Sequence, residues 1–361
     1  MTNIIGSLGA IAVLAILVLV HELGHFLAAK FQGIHVSKFS LGFGPALWTY
    51  QGTETEYAIR ALPLGGYVGF PDDDPENNIP LDDPNLLRNR PIIDRAIVIS
   101  AGVMANFIFA YFALVLQLGI AGVQDLNYQP GVVITNIASE VSSAAMTAGI
   151  KSGDIVLLAD GTAIKASKNA VPDLVNIIKT HANQEIKLSI QRQGQIISLS
   201  VTPEADIKGE GKIGVQLAPN ATIFQRKVNN ITEAFSKAAN EYERIFQVII
   251  QGFTQLITKF QETADHVAGP VAIVAMGADI VKDDVTNLLH FAALISVNLG
   301  IINILPLPAL DGGQLVFLLF EAILGKPLPN KLQEGVMQTG LVLLLGLGII
   351  LILRDTSKLL M

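Results

Sequence analysis

Cysteine is absent from the 361 residues, and tryptophan occurs once. Without thiols there is no disulfide staple and no thiolate ligand, so a metal here would be held by histidine or carboxylate. Charge is scarce too: 15% of residues are Asp, Glu, Lys or Arg, against 51% hydrophobic, with mean hydropathy +0.50. That balance describes a polytopic membrane protein with a modest soluble part. The net charge of −7 leaves no basic footprint, so nucleic acid is excluded as a partner and membrane lipid is expected. No basic segment precedes the N-terminal apolar run, which is expected to be a retained first span rather than a cleaved signal peptide.

Histidine is also sparse, at six, but two of the six share one motif: His21-Glu22-Leu23-Gly24-His25. On a helix, His21 and His25 stand one turn apart on one face, so both imidazoles can reach one metal ion. Glu22 is then placed to act as a base on water activated by that metal. On a solvated helix such a pattern can be chance. Here residues 4–20 carry no charge, and Phe26, Leu27, Ala28 and Ala29 follow. Ionisable groups inside a membrane span are costly and usually functional.

The chain divides into four stretches. Residues 1–125 form an N-terminal membrane half, with a first span over 4–30, a strand-rich hairpin over 36–70 and a second span over 96–120. Glu54 to Ile59 would be the tip and rise of the hairpin. Open strand edges are not tolerated in bare hydrocarbon, so the hairpin should lie against protein or in the interface; a cytosolic hairpin is the alternative. The acidic 72–85 stretch reads as a loop or lid. Gly102 and Asn106 interrupt the second span, where small residues permit close helix contact and Asn106 serves either as packing glue or in the site.

Residues 126–205 read as an α+β module of short strands and two helices, one of them over 138–150. Residues 206–285 read as a linker with an amphipathic helix, apolar at i, i+3 and i+4 from Ile245 to Phe260. Residues 286–361 form the C-terminal membrane half. One span over 287–305 runs into Pro306 and Pro308, resumes past Asp311-Gly312-Gly313, and is followed by a last span over 336–353.

A catalytic zinc site takes three protein ligands and leaves a position for water. His35, His181, His266 and His290 have no partner at ligand spacing. Asp311 is the better third ligand, because the prolines break the helix and Gly312-Gly313 lets the backbone turn the carboxylate into a cavity. At 1.5 Å per residue His21 lies roughly 26 Å along the first span, and Asp311 a little over 30 Å along the third. Two crossings separate them, so both spans start outside and the ligands meet in one leaflet. Lys30, Lys38, Arg60, Arg88, Arg90, Arg95, Lys326 and Lys331 place the intervening loops in the cytosol. The site then opens toward the cytosol, the α+β module lies outside, and Glu321 reaches the cytosolic interface in a structural role.

Two resemblances follow from these residues. The order of elements and the Gly149-Ile150-Lys151-Ser152-Gly153-Asp154 turn make 126–205 resemble a circularly permuted bacterial PDZ domain. Its carboxylate-binding loop is expected near Pro130-Gly131-Val132-Val133. Such domains bind peptide C-termini or strands, the alternative here being a steric gate. The whole chain resembles the intramembrane site-2 proteases, closest to the regulator-of-sigma-E type: the HExxH span, the Leu62-Pro63-Leu64-Gly65-Gly66-Tyr67-Val68 run, the PDZ-like insert, Gly269-Pro270, and Asn303 followed by Pro306, Pro308 and Asp311-Gly312-Gly313. One PDZ-like module stands where that type has two.

The resemblance implies a polytopic α-helical membrane protein of about four transmembrane helices, with a membrane-associated hairpin and an inserted PDZ domain, in a bacterial cytoplasmic membrane. It implies Zn2+ held by His21, His25 and Asp311, with Glu22 as base. Substrate contacts are expected from Asn303, Asn298, Asn106, Gly65, Gly66 and Tyr67. The implied substrates are single-span membrane proteins, such as an anti-sigma factor or a remnant signal peptide, cut after a prior extracytoplasmic cleavage. A catalytically silent PDZ-bearing scaffold is the rival from another class. It would leave His21, Glu22, His25 and Asp311 without a purpose.

Overall fold

A computed structural model of the chain describes residues 2–73, 79–137, 144–206, 209–264, 267–283 and 285–360. The elements in order are α1 (Thr2–Phe31), β1 (Lys38–Gln51), β2 (Glu56–Gly69), α2 (Ile92–Ala121), β3 (Val123–Ile137), α3 (Ala144–Thr147), β4 (Ile155–Ala159) and β5 (Thr162–Ala163). There follow α4 (Ala170–Thr180), β6 (Ile186–Arg192), β7 (Gln195–Val201), β8 (Glu204–Ala205), β9 (Gly211–Lys212) and β10 (Val215–Arg226). The chain ends with α5 (Ile231–Thr258), α6 (Phe260–Thr263), α7 (Pro270–Asp283), α8 (Asn287–Ile304), α9 (Asp311–Leu324) and α10 (Asn330–Leu360). The chain folds as two units: Met1–Gly122 together with Lys227–Met361, and Val123–Arg226.

Among the described residues of the first unit, four helices are long and apolar enough to cross a membrane: Gly6–Phe31, Ile92–Ala121, Asn287–Ile304 and Lys331–Lys358. Near-uniform apolarity puts no polar face on α1, α2 or α8, as expected for helices surrounded by lipid and one another. The second of them, α2, is the central post, packed against α1, α5, α8 and α9. Gly24 of α1 lies so close to α2 that a Cβ there would stand 2.8 Å from the Ala105 Cβ. Small residues thus bring the two backbones together at the level of the histidine motif. A cluster of Ala110, Ala113, Leu114, Ala238, Ile245, Ala293 and Val297 joins α2, α5 and α8.

The 206–285 stretch is more ordered than a linker. Helix α5 lays Ala234, Ala238 and Ile245 against the bundle. Helix α7 packs on α1, where a Cβ on Gly277 would stand 2.7 Å from the Ala10 Cβ. Its start is fixed by Asp355 of α10, whose Oδ2 accepts the Ala272 N–H at 3.0 Å, as a carboxylate at a helix N-terminus should.

The 36–70 region is not a simple hairpin. Residues 46–51 pair antiparallel with 56–60; residues 38–41 pair parallel with 56–59 and antiparallel with 66–69. The spatial order is therefore 46–51, 56–60, 38–41, 66–69, with 66–69 on one edge. The reversals run through Gly42 and Gly44 at φ +89° and +84°, and through Gly65 at φ +90°. These are left-handed values that side chains with a Cβ resist. Arg60 locks the sheet, donating to Ser40 Oγ at 2.8 Å, Gly44 O at 2.9 Å and the Tyr67 hydroxyl at 3.3 Å.

The second unit is a sheet ordered β10-β3-β4-β6-β7, with α4 packed on it through Leu174 and Ile178. It runs 21 residues past the expected end at 205 (226 − 205), because β10 pairs with β3 from Val215↔Ile137 to Arg226↔Val123. Pro130-Gly131-Val132-Val133, expected as a carboxylate-binding loop, lies inside strand β3 instead. The groove of the unit, about 380 Å³, lies between α4 and the 211–217 segment, lined by Val175, Ile178, Ile213 and Leu217. Of the helix expected over 138–150, residues 144–147 are helical; residues 138–143 lie outside the described residues, as do 74–78 of the acidic loop and His266.

Candidate metal centre

Helix α1 delivers both histidines because their four-residue spacing stacks them one above the other, with ring centroids 4.7 Å apart. Asp311 arrives from the opposite side as the first residue of α9. The α8 helix ends at Ile304 and the chain turns through 305–310, with Ala309 at φ +70° and its N–H on Met337 Sδ at 3.3 Å. Gly312 lies against the carbonyls of Ile304 and Leu305, so the turn has no space for a side chain there.

Three ligand atoms converge. His21 Nε2 and His25 Nε2 are 3.3 Å apart, and they lie 3.3 and 3.4 Å from Asp311 Oδ2. Zinc bonds of ~2.0–2.1 Å directed to tetrahedral corners put ligand atoms roughly 3.3–3.4 Å from one another, so the triangle has the size zinc requires. The proton inventory agrees. His25 Nδ1–H donates to Val98 O at 2.8 Å, which leaves the Nε2 lone pair facing the centre. Asp311 Oδ2 is buried and accepts no hydrogen bond among the described residues. Two ring nitrogens and a carboxylate oxygen gathered this closely form a donor set that suits a cation.

The second histidine has its own support. The Asn106 amide lies 3.2 Å from His21 Nδ1, and Asn106 is fully buried. With Oδ1 turned toward the ring it accepts Nδ1–H, and its otherwise unpartnered oxygen is satisfied. Asn106, expected to meet substrate, is thus enclosed in this structure, with its amide against an imidazole. Ser296 Oγ bonds to Asn106 O at 2.8 Å, fixing that stretch of α2 to α8.

Of the other residues expected to meet substrate, Asn303 places its amide 3.4 Å from His21 Nε2, at the rim of the centre. No hydrogen bond joins Asn298 to the centre among the described residues. Gly65 carries the backbone reversal, and Tyr67 accepts from Arg60. Gly66 sits against the base: a Cβ there would stand 2.9 Å from Glu22 Cγ. Glu22 also faces the Val68 backbone amide. The 66–69 edge strand and Glu22 are thus neighbours, a proximity that Gly66 alone makes possible. Two supports were missed in the sequence, the Val98 carbonyl and the role of Asn106. A polar residue at one-stripe spacing within an apolar span was the only available signal.

Two histidines one helical turn apart and a carboxylate from a broken second helix form a cluster that could hold a metal ion, with a glutamate beside it, within a bundle apolar enough to cross a membrane, and this is the arrangement of a membrane metalloprotease. Peptidase family M50 matches residues 9–347, and the chain belongs to that family, the site-2 proteases. It is a zinc-dependent protease, with zinc as its cofactor. A Nostoc sp. protein named as a candidate zinc metalloprotease is 59% identical over 98% of this chain and 96% of its own. The chloroplastic membrane metalloprotease ARASP of Arabidopsis thaliana is 46% identical over 98% of this chain and 79% of its own. The regulator of sigma-W protease RasP of Bacillus subtilis is 27% identical over 97% of each. Among solved structures, a PDZ domain of an SdrC-like protein from Listeria innocua covers 24% of this chain and 92% of its own, at 22% identity and TM-score 0.20.

Proposed function

We propose that this protease cuts a peptide bond within the transmembrane segment of single-span membrane proteins, an anti-sigma factor or a remnant signal peptide, after an earlier extracytoplasmic cut. The observation that carries the reading is the contact of the 66–69 edge strand with Glu22 across Gly66. A transmembrane helix hides its carbonyls in its own hydrogen bonds. Among the described residues strand 66–69 is paired on one side only, and its open edge offers ladder bonds that replace the helical ones, so an added substrate strand is extended beside the base. The Asn303 amide is placed to hold the backbone of that strand.

Zinc supplies Lewis acidity to water and to the scissile carbonyl when bound. His21, His25 and Asp311 would hold it, with Val98 O and Asn106 keeping the imidazole rings oriented. Glu22 takes a proton from the attacking water and passes it to the leaving amine. The surrounding apolar helices exclude bulk water, which strengthens each of these interactions.

The Val123–Arg226 unit is read as PDZ-like and extracytoplasmic, and the zinc centre as opening toward the cytosol, in a bacterial cytoplasmic membrane. The α4/211–217 groove is the place for a peptide or new C-terminus, with Gly214 at φ +75° turning its loop. The test is Glu22→Gln. The variant should keep about one zinc per chain, lose cleavage by at least ~10³-fold and co-purify with uncut substrate. Turnover at the wild-type rate in detergent would remove Glu22 from the mechanism.

A further inference from the structure

One stripe of α2 faces the whole centre. Arg95, Val98, Gly102 and Asn106 follow one another at spacings of three, four and four residues, which keeps them on one helix face. Three of them line it: the Val98 carbonyl accepts from His25 Nδ1–H, Gly102 leaves room for both imidazoles, and Asn106 meets His21. The fourth reaches α9. Arg95 NH1 and NH2 donate to Glu321 Oε2 and Oε1 at 3.0 and 2.5 Å. The two side chains are 15% and 14% exposed. Glu321 stands on the same helix as Asp311, ten residues on (321 − 311).

We propose that Arg95 and Glu321 are positioning residues for the zinc centre: their two-point contact sets the rotation and height of α9 against α2, and so sets Asp311 against the imidazoles. The inference rests on His21, His25 and Asp311 being the zinc ligands. Two ligands share α1, so their separation is fixed by one helix. The third depends on how α9 sits, and α9 follows α8 through a turn that includes a left-handed alanine. Metal coordination tolerates about ±0.2 Å. A planar guanidinium on a carboxylate restrains both translation and rotation, which an apolar contact between helices does not. The pair is part-buried, so it pays some desolvation, and an apolar pair of similar volume is often as stable.

The experiment compares zinc affinity in the purified full chain, by chelator competition, for the wild type, Arg95→Met with Glu321→Met, and Arg95→Lys. The double methionine variant should melt at or above the wild-type temperature yet bind zinc at least ~10-fold more weakly. Arg95→Lys, which keeps the charge but not the fork, should weaken zinc binding several-fold. Wild-type zinc affinity in a stably folded double variant overturns the proposal. If that variant does not fold, wild-type affinity in Arg95→Lys overturns it instead. A wild type that carries no zinc removes the centre itself, and the clamp with it; a wild type that carries zinc while both variants bind equally well removes the clamp alone.

Discussion

A Cβ at Gly102 would stand 2.8 Å from His21 Cε1, and nearer still to His25 Nε2. The centre thus depends on an atom that is missing from α2 as much as on the ligands α1 provides. Alanine is the better helix former by ~1 kcal/mol, so Gly102→Ala should leave α2 at least as stable as before. The added methyl must nevertheless displace both imidazoles, whose outer nitrogens are tied to Val98 O and Asn106. Gly102→Ala is therefore expected to keep its helical circular dichroism while zinc falls well below one per chain. Full zinc content would show that the rings can shift without loss. That His21, His25 and Asp311 come together was legible from spacing and depth, because ligand chemistry restricts residue type. Gly102 and Asn106 were visible as interruptions of a span but not in their roles. The sequence pattern says that small and polar residues face something, and only the fold says that it is the two imidazoles.

Among the elements, helices were the legible ones, since an apolar run long enough to span a bilayer has few other uses. Strands were harder. Alternation and Gly-rich punctuation marked 36–70 as strands, but the parallel pairing of 38–41 with 56–59 arises from bends at Gly42, Gly44 and Gly65, which carry no periodicity. Strand β10 was missed because Val215–Arg226 includes Pro219 and Asn220, residues that read as a break. The turn ending in Asp154 was recognised, and its chemistry is now explicit. Arg192 donates to both oxygens of Asp154 at 2.7 Å, and the Lys151 N–H adds a bond at 2.8 Å. Burial alone would push the Asp154 carboxyl up; Arg192 and the Lys151 N–H outweigh it and hold the carboxyl below its ordinary 3.8. The carboxylate is favoured in the folded state, so its contribution is complete above the unfolded value and disappears as pH falls through the lower, folded one. Hydrogen exchange over 123–226, corrected for intrinsic rates, should show protection dropping below about pH 4 in the wild type. Asp154→Asn should start about 3 kcal/mol lower, as a buried pair with one member neutralised, and lose this pH dependence. Identical profiles for the two would remove the pair as the cause.

The molecule as a whole is one unit inserted into another by the least disruptive route. Val123 and Arg226, the first and last residues of the inserted unit, are cross-strand partners, followed inward by Gln124 and Gln225. Partners on adjacent antiparallel strands have Cα atoms ~4.5–5.5 Å apart, so the chain leaves and re-enters the first unit at nearly one point. A short turn can span such a gap, which is the condition under which domains are gained or lost without harm to the host fold. Every residue assigned to the chemistry, His21, Glu22, His25, Asn303 and Asp311, with Arg95 and Glu321, lies in Met1–Gly122 or Lys227–Met361. Replacing Val123–Arg226 with a two- to four-residue Gly/Ser turn (about the length of common hairpin loops) should therefore leave zinc near one per chain. If the inserted unit filters substrates, the intact protease should cut a substrate already trimmed outside faster than its untrimmed parent, and the excised one should cut both at similar rates. Discrimination that survives excision would place the filter in the membrane bundle. Loss of cleavage of the trimmed substrate, with zinc retained, would make the α4/211–217 groove a docking site required for turnover rather than a filter.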